Sequence, residues 1–247
     1  AVMNQFIFSL LTLISVSLYG NIPFKIGETL HYKASFSGVN AARGTLKVVN
    51  KEKLNNIMTY HVQFTARSLG IVNHLFPIND KIDIWLSEDS LLTLKSSSNI
   101  QEGKYKYSQD IFIDHKTEIA YSNQDTFFVK TKTHSPYALF YYFRKMDLVE
   151  LHGKTINTFQ KKKISELDIA IKENIYVEVP AGKYLCTEVT PLKKNKKQFK
   201  NEAKMSILFS NDDYKYPVKI WLNLKFGSLV LELDQISNEI TSQHLEK

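Results

Sequence analysis

From Val177 to Asp234, apolar and aromatic residues return at every second position, interrupted by Pro, Gly, Asn and Asp. Side chains on a strand point alternately to its two faces, so this spacing predicts strands joined by tight turns, a β-meander. The pattern starts earlier. Leu30, Tyr32, Ala34 and Phe36 interleave with His31, Lys33 and Ser35; after a turn over 37–44, Leu46 and Val48 continue a second strand, and Asn55-Asn56 opens a third through Tyr60, Val62 and Phe64. Over Asp80 to Leu86, Ile82, Ile84 and Leu86 oppose Lys81, Asp83 and Trp85, which puts Trp85 on the face away from the isoleucines. Further strands are expected over 91–94, 105–113, 117–121, 126–132, 156–159 and 167–171. LGIVNHLFPIN, residues 69–79, is apolar without that alternation and reads as an irregular or one-turn helical piece ended by Pro77.

One segment reads as a helix, Ser135 to Met146. The Ser135 hydroxyl suits an N-cap, Pro136 suits the first turn because its missing N–H is not needed there, and Arg144 and Lys145 complement the C-terminal dipole. Leu139, Phe143 and Met146 make one apolar face. Tyr137, Phe140, Tyr141 and Tyr142 extend it nearly all round, so the helix should be covered on more than one side.

Pro180-Ala181-Gly182 predicts a hairpin in which glycine supplies a left-handed bulge, pairing Val179 with Lys183 and Val177 with Leu185. That register sets Cys186 beside Tyr176. Asn211-Asp212-Asp213 and Phe226-Gly227 mark the last two turns. The fold expected is mainly β: an antiparallel, open barrel-like or strongly curved sheet with one α-helix on its concave side. With no linker and no internal repeat, the division is a signal peptide at 1–20, one β-rich domain at 21–238 and a frayed tail at 239–247.

The chain has 247 residues, 43% hydrophobic and 23% charged, enough for a real core. Phe6 to Gly20 is an uncharged apolar run, long enough for a signal-peptide core and short of the roughly 20 residues of a membrane span. Ser15-Val16-Ser17 or Gly20 offers a cleavage point; no Lys or Arg precedes the run, which leaves a retained anchor or a buried helix open. Periplasmic or secreted localisation follows from cleavage. Cys186 is the single cysteine, so an internal disulfide and a zinc site of two cysteines are excluded, and a small buried hydrophobe is the expected role. The net charge of +7 gathers at Lys161 to Lys163 and Lys193 to Lys197. Neither cluster is interleaved with base-stacking aromatics, which argues against nucleic acid; solvated turns are expected, with peripheral contact to an anionic membrane surface as the alternative.

IGETLHYKASF with ARGTLKVV, the helix SPYALFYYFRKMDL, the hairpin VPAGKYLCTEVTP and FSNDDYKYP together resemble domain-of-unknown-function family 3108 over about residues 22–236. The resemblance implies a periplasmic or outer-membrane-associated β protein without assigned chemistry. Relatives usually begin the helix with Asp-Pro where this chain has Ser135-Pro136.

The seven histidines are scattered without metal-ligand spacing, and no GxSxG elbow or phosphate-cradling loop occurs. His31, His61 and His115 read as surface groups; His74 and His134 flank apolar segments and read as satisfied core groups. Asp110 with Asp114, or Asp212 with Asp213, could form an acidic pair for glycoside hydrolysis, against the ordinary role of turn aspartates as backbone caps. No catalytic residue, metal or cofactor is assigned. At 12% aromatic, the composition favours binding: Trp85, Tyr141, Arg144 and Trp221 are the residues expected to meet a lipid or glycan ligand. The expected role is an envelope protein that binds an amphiphile, a glycan or a protein partner, with a glycan hydrolase or a purely structural envelope protein as rivals.

Overall fold

The computed structural model describes residues 22–123, 125–194, 204–224 and 227–238. The proposed signal peptide, most of the second lysine cluster, the Phe226 turn position and the C-terminal tail lie outside the described residues. Fifteen strands form one sheet: β1 (Glu28–Phe36), β2 (Val39–Leu54), β3 (Ile57–Ser68), β4 (Asn79–Ser87), β5 (Thr93–Glu102), β6 (Tyr105–Asp114), β7 (Ile119–Tyr121), β8 (Thr126–Phe128), β9 (Thr133–His134), β10 (Thr155–Gln160), β11 (Lys163–Val179), β12 (Gly182–Lys193), β13 (Lys204–Ser210), β14 (Pro217–Leu224) and β15 (Gly227–Asn238). Two α-helices interrupt them, α1 (Gly70–Leu75) between β3 and β4, and α2 (Leu139–Lys145) between β9 and β10.

The strand order is β8 to β1 in descending sequence, then β15 down to β9, so two meanders join where β1 pairs with β15. Every pairing is antiparallel except β9 with β10, which α2 connects. The sheet is not closed by hydrogen bonds; β8 and β9 are its edges. Covalent geometry still brings these edges close. Only residues 129–132 separate β8 from β9, a reach of about 17 Å, whereas a flat sheet of this order would hold its edges roughly 67 Å apart. The sheet must curl. Side chains bridge the gap: Phe127 lies 5.4 Å from Phe159 of β10, Lys162 pairs with Asp125 at 2.6 Å, and Lys130 pairs with Glu166 of β11.

Alternation places the core as expected. Leu30, Tyr32 and Ala34, then Ile82, Ile84 and Leu86, are buried, and they share one apolar cluster with Val189, Ile207 and Leu233 of the other meander and with Leu139 and Phe143 of α2. Both asparagines of the β2–β3 turn take positive φ, 48° and 65°, the conformation a two-residue hairpin loop requires.

Several local expectations are corrected. The loop after β11 is only Pro180-Ala181: Val179 pairs with Gly182, Glu178 with Lys183 and Val177 with Tyr184. Glycine's freedom is used at the first paired position, where φ is 139°, and not in a bulge; the Ala181 N–H donates to the Leu233 carbonyl at 3.0 Å, which holds the tip. Cys186 therefore faces Ile175, and Tyr176 is exposed. The helix begins with a 3₁₀ turn at Pro136–Ala138, and Ser135 makes no side-chain cap; its backbone N–H is satisfied by the Thr93 hydroxyl at 2.9 Å. β2 starts at Val39, earlier than expected. β5 runs through Ser96-Ser97-Ser98-Asn99, which has no apolar alternation, because β4 and β6 hydrogen-bond it on both sides.

Candidate functional site

The four residues expected to bind a ligand do not line one cleft. Arg144 is the largest fully buried side chain among the described residues. Its guanidinium donates to both carboxylate oxygens of Glu28, at 2.6 and 3.0 Å, to the Tyr214 carbonyl at 2.9 Å and to the Pro23 carbonyl at 2.7 Å. The rings of Phe24, Tyr141 and Tyr216 surround it at 5.2 to 6.0 Å. The planar fork that could clamp a ligand is thus saturated from within, tying the chain before β1 and the loop before β14 to α2. Tyr141 is buried in the same knot, and burial raises its phenol far above the usual range; Tyr216 is pushed up to about 12 for the same reason.

Trp85 faces away from Ile82, Ile84 and Leu86, as alternation requires, yet its ring is covered. His61 of β3 stacks on it at 4.5 Å with planes 7° apart, Lys95 of β5 sits 4.6 Å from the ring centre, and the indole N–H donates to Glu52 at 2.6 Å. His61 and Gln63 hold the Asp83 carboxylate at 2.8 and 2.7 Å. Burial alone would raise Asp83, but these hydrogen bonds prevail and lower it. The cluster satisfies itself and offers no bare stacking face. Trp221 is 48% exposed, beside the buried Ile220, on the outside of β14.

A cleft does form elsewhere, where three hairpin ends meet. Successive connections of an antiparallel meander fall at alternate ends, so the β2–β3, β4–β5 and β6–β7 turns share one end. Between them lies an open cavity of about 400 Å³. Leu54, Ile57, Leu92, Leu94, Phe112 and Tyr121 supply its apolar lining, and Asp89, Asp114, His115 and Lys116 its polar groups. Phe112 and Tyr121 stack at 5.4 Å, and the His115 Nε2 bonds the Thr93 carbonyl at 2.8 Å, fixing that ring. None of these was singled out from the sequence as a ligand contact. The one available signal was a run of apolar residues crowding turns at Leu54, Ile57 and Leu91-Leu92, where a solvated loop needs none.

Asp89 and Asp114 both line this cleft, whereas Asp110, the other member of the expected pair, lies 3.6 Å from Lys95. Neither carboxyl is pushed toward its protonated form. Burial would raise Asp89, but bonds from Ser90 and Ser87 lower it, and Asp114 is lowered by the Lys116 N–H and its Thr117 partners. Glycoside hydrolysis needs one carboxyl held protonated. Asp212 likewise caps the Tyr214 and Lys215 N–H groups at 2.9 Å, an ordinary turn role. Among the described residues no three His, Cys, Asp or Glu side chains gather as a metal-holding set, and no described helix is long and apolar enough to cross a membrane.

Cys186 is buried, and desolvation, then the charge of Asp212, pushes its thiol up to about 12. It packs as a small hydrophobe. A thiol reagent such as Ellman's is expected to leave Cys186 untouched in the folded chain and to titrate it stoichiometrically in guanidinium; rapid modification without denaturant would contradict this placement. His74 is exposed, whereas His134 is 2% exposed and its Nδ1 has no hydrogen-bond partner.

A curled, almost wholly antiparallel sheet with a filled interior defines a β-barrel-like protein. The chain belongs to the family described as Protein of unknown function (DUF3108), matched over residues 29–234. Among solved structures it is similar to a beta-barrel-like protein of domain of unknown function DUF1849 from Brucella abortus, with a TM-score of 0.59 and 9% identity over 87% of this chain and 99% of that one. It is also similar to a candidate exported protein with a YmcC-like fold from Bacteroides fragilis, with a TM-score of 0.40 and 10% identity over 88% of this chain and 98% of that one. At such identity the first likeness shows the fold alone. No curated protein matches the chain.

Proposed function

We propose that this chain is an exported cell-envelope protein that takes the apolar part of an amphiphile into the cleft at the β2–β3, β4–β5 and β6–β7 ends. The apolar run from Phe6 to Gly20 supports export. In this reading α2 fills the concave side of the curled sheet, Arg144 locks it there, and ligand is met at the hairpin ends. The cleft carries the proposal: its volume of about 400 Å³ lies within the ordinary range of small-molecule sites, and its lining pairs aliphatic and aromatic walls with a few fixed polar groups. His115 and Lys116 stand where a polar or anionic head would rest. The covered Trp85 and the saturated Arg144 move the binding residues from those four positions to Leu92, Leu94 and Phe112.

The test is native mass spectrometry of delipidated protein after incubation with an envelope extract. A bound amphiphile is expected on the native chain. Leu94→Trp, which fills the cleft from a half-buried wall position, is expected to weaken retention at least about tenfold, the effect of one misfitted group. No adduct on the native protein, or equal retention by the variant at unchanged melting temperature, would rule the cleft out.

A further inference from the structure

The opposite end of the sheet carries an apolar tip that the fold does not use. α1 has six residues and buries none of them. Ile71 is 73% exposed, Leu75 78% and Phe76 50%. A helix this short has no stability of its own, and side chains as exposed as Ile71 and Leu75 do little to hold it, so folding does not explain their presence. The tip is nevertheless anchored. The Leu69 N–H donates to the Ala41 carbonyl at 2.9 Å and the Gly103 N–H to the Pro77 carbonyl at 2.8 Å. The Phe76 ring lies on Gly103, where an added Cβ would come within 2.7 Å of Cε2. α1 is therefore fixed against the β5–β6 turn, presenting its apolar side chains outward.

The neighbouring charge is mainly positive. Arg67 is the penultimate residue of β3, Lys104 lies in the β5–β6 turn with Lys106 just beyond it, and the Lys161 ammonium sits 5.0 Å from the ring of Tyr105. None of these four cations is ion-paired among the described residues, and Glu102 is the exposed acid beside them. Tyr105, itself 44% exposed, stands between the apolar tip and Lys161. A protruding aliphatic and aromatic tip, a phenol and a belt of free cations complement one surface chemistry above others: an interface of acyl chains beneath anionic headgroups.

We propose that this end docks on an anionic lipid surface, with Ile71, Leu75 and Phe76 entering the acyl boundary and Arg67, Lys104, Lys106 and Lys161 meeting headgroup phosphates. The cleft then lies at the end away from the membrane. The docking stands on its own observations and does not depend on the cleft being a ligand site.

Ile71→Cys in the full chain, labelled with an environment-sensitive fluorophore, tests this; Cys186, the single native cysteine, is buried and stays unlabelled. Vesicles of equal phosphatidylcholine and phosphatidylglycerol are expected to shift the label to the blue, and phosphatidylcholine alone is not. A label at Lys53→Cys, an exposed position at the opposite end that does not line the cleft, is expected to stay unshifted, which separates docking by this tip from membrane contact at that end or lipid uptake by the cleft. Each cation near an anionic surface strengthens binding about fivefold, so Lys104→Glu with Lys106→Glu should weaken the response at least about tenfold. An unshifted label at position 71, an equal shift at position 53, or indifference to the charge reversal would overturn the proposal. A shift that grows with protein concentration without vesicles would point to a second copy as the occupant and overturn it too.

Discussion

Replacing Arg144 by methionine is expected to destabilise the folded chain by about 3–5 kcal/mol, the cost of leaving one member of a buried ion pair without its partner. Glu28 is 5% exposed, and Arg144 supplies every hydrogen bond its carboxylate receives among the described residues. The same change removes the donors to the Pro23 and Tyr214 carbonyls, so the chain leading into β1 and the loop before β14 lose their tie to α2. Glu28→Gln should cost less, because the guanidinium keeps both carbonyls and the three surrounding rings. Combining Glu28→Leu with Arg144→Met should recover part of the loss, since two apolar groups leave no charge stranded. Guanidinium denaturation followed by circular dichroism measures all four proteins. A single Arg144→Met variant within about 1 kcal/mol of the native chain would show that the pair does not hold the fold together.

The second large effect is a loss of stability in acid that traces to His134. Its ring is 2% exposed and lies 4.4 Å from that of Tyr142, and its Nδ1 has no hydrogen-bond partner. Burial, helped by the neighbouring His115, holds the imidazole down at about 4 from an ordinary value of 6.5. Between those two values the unfolded chain takes up a proton that the folded chain refuses. Stability is therefore full above pH 6.5 and falls as the pH is lowered toward 4, by about 3 kcal/mol at one unit of pKa per 1.4 kcal/mol. Carboxylates with lowered values, such as Asp83 and Asp114, lose their contribution below that window. His134→Phe keeps a ring in the site and should flatten the slope between pH 6.5 and pH 4.5. Parallel stability profiles for the two proteins would assign the acid sensitivity elsewhere.

These two residues show how far local pattern reaches. Arg144 is legible as a cation closing a helix and His134 as a satisfied core group beside an apolar segment; both are buried, but the His134 Nδ1 has no hydrogen-bond partner. The partner of Arg144 is 116 residues away, so its saturation, which removes it as a ligand clamp, had no local signal. Trp85 behaves similarly: alternation put it on the outward face, but the His61 and Lys95 that cover its ring arrive from neighbouring strands. The cleft was missed for the same reason, because its walls come from three turns that alternation describes only one at a time. β5 was read too short, since its serines become a strand through the ladders on either side.

Spacing and turn chemistry along the chain were enough to establish strands, most turns, the aromatic helix and the absence of a disulfide, because backbone sterics and side-chain alternation act between residues close in sequence. The meeting of β1 with β15, the register of the Pro180 hairpin, the Glu28–Arg144 pair and the two unlike ends of the sheet belong to the folded molecule. They follow from which distant groups can be buried and hydrogen-bonded together, a choice made among all segments at once and written in none of them singly.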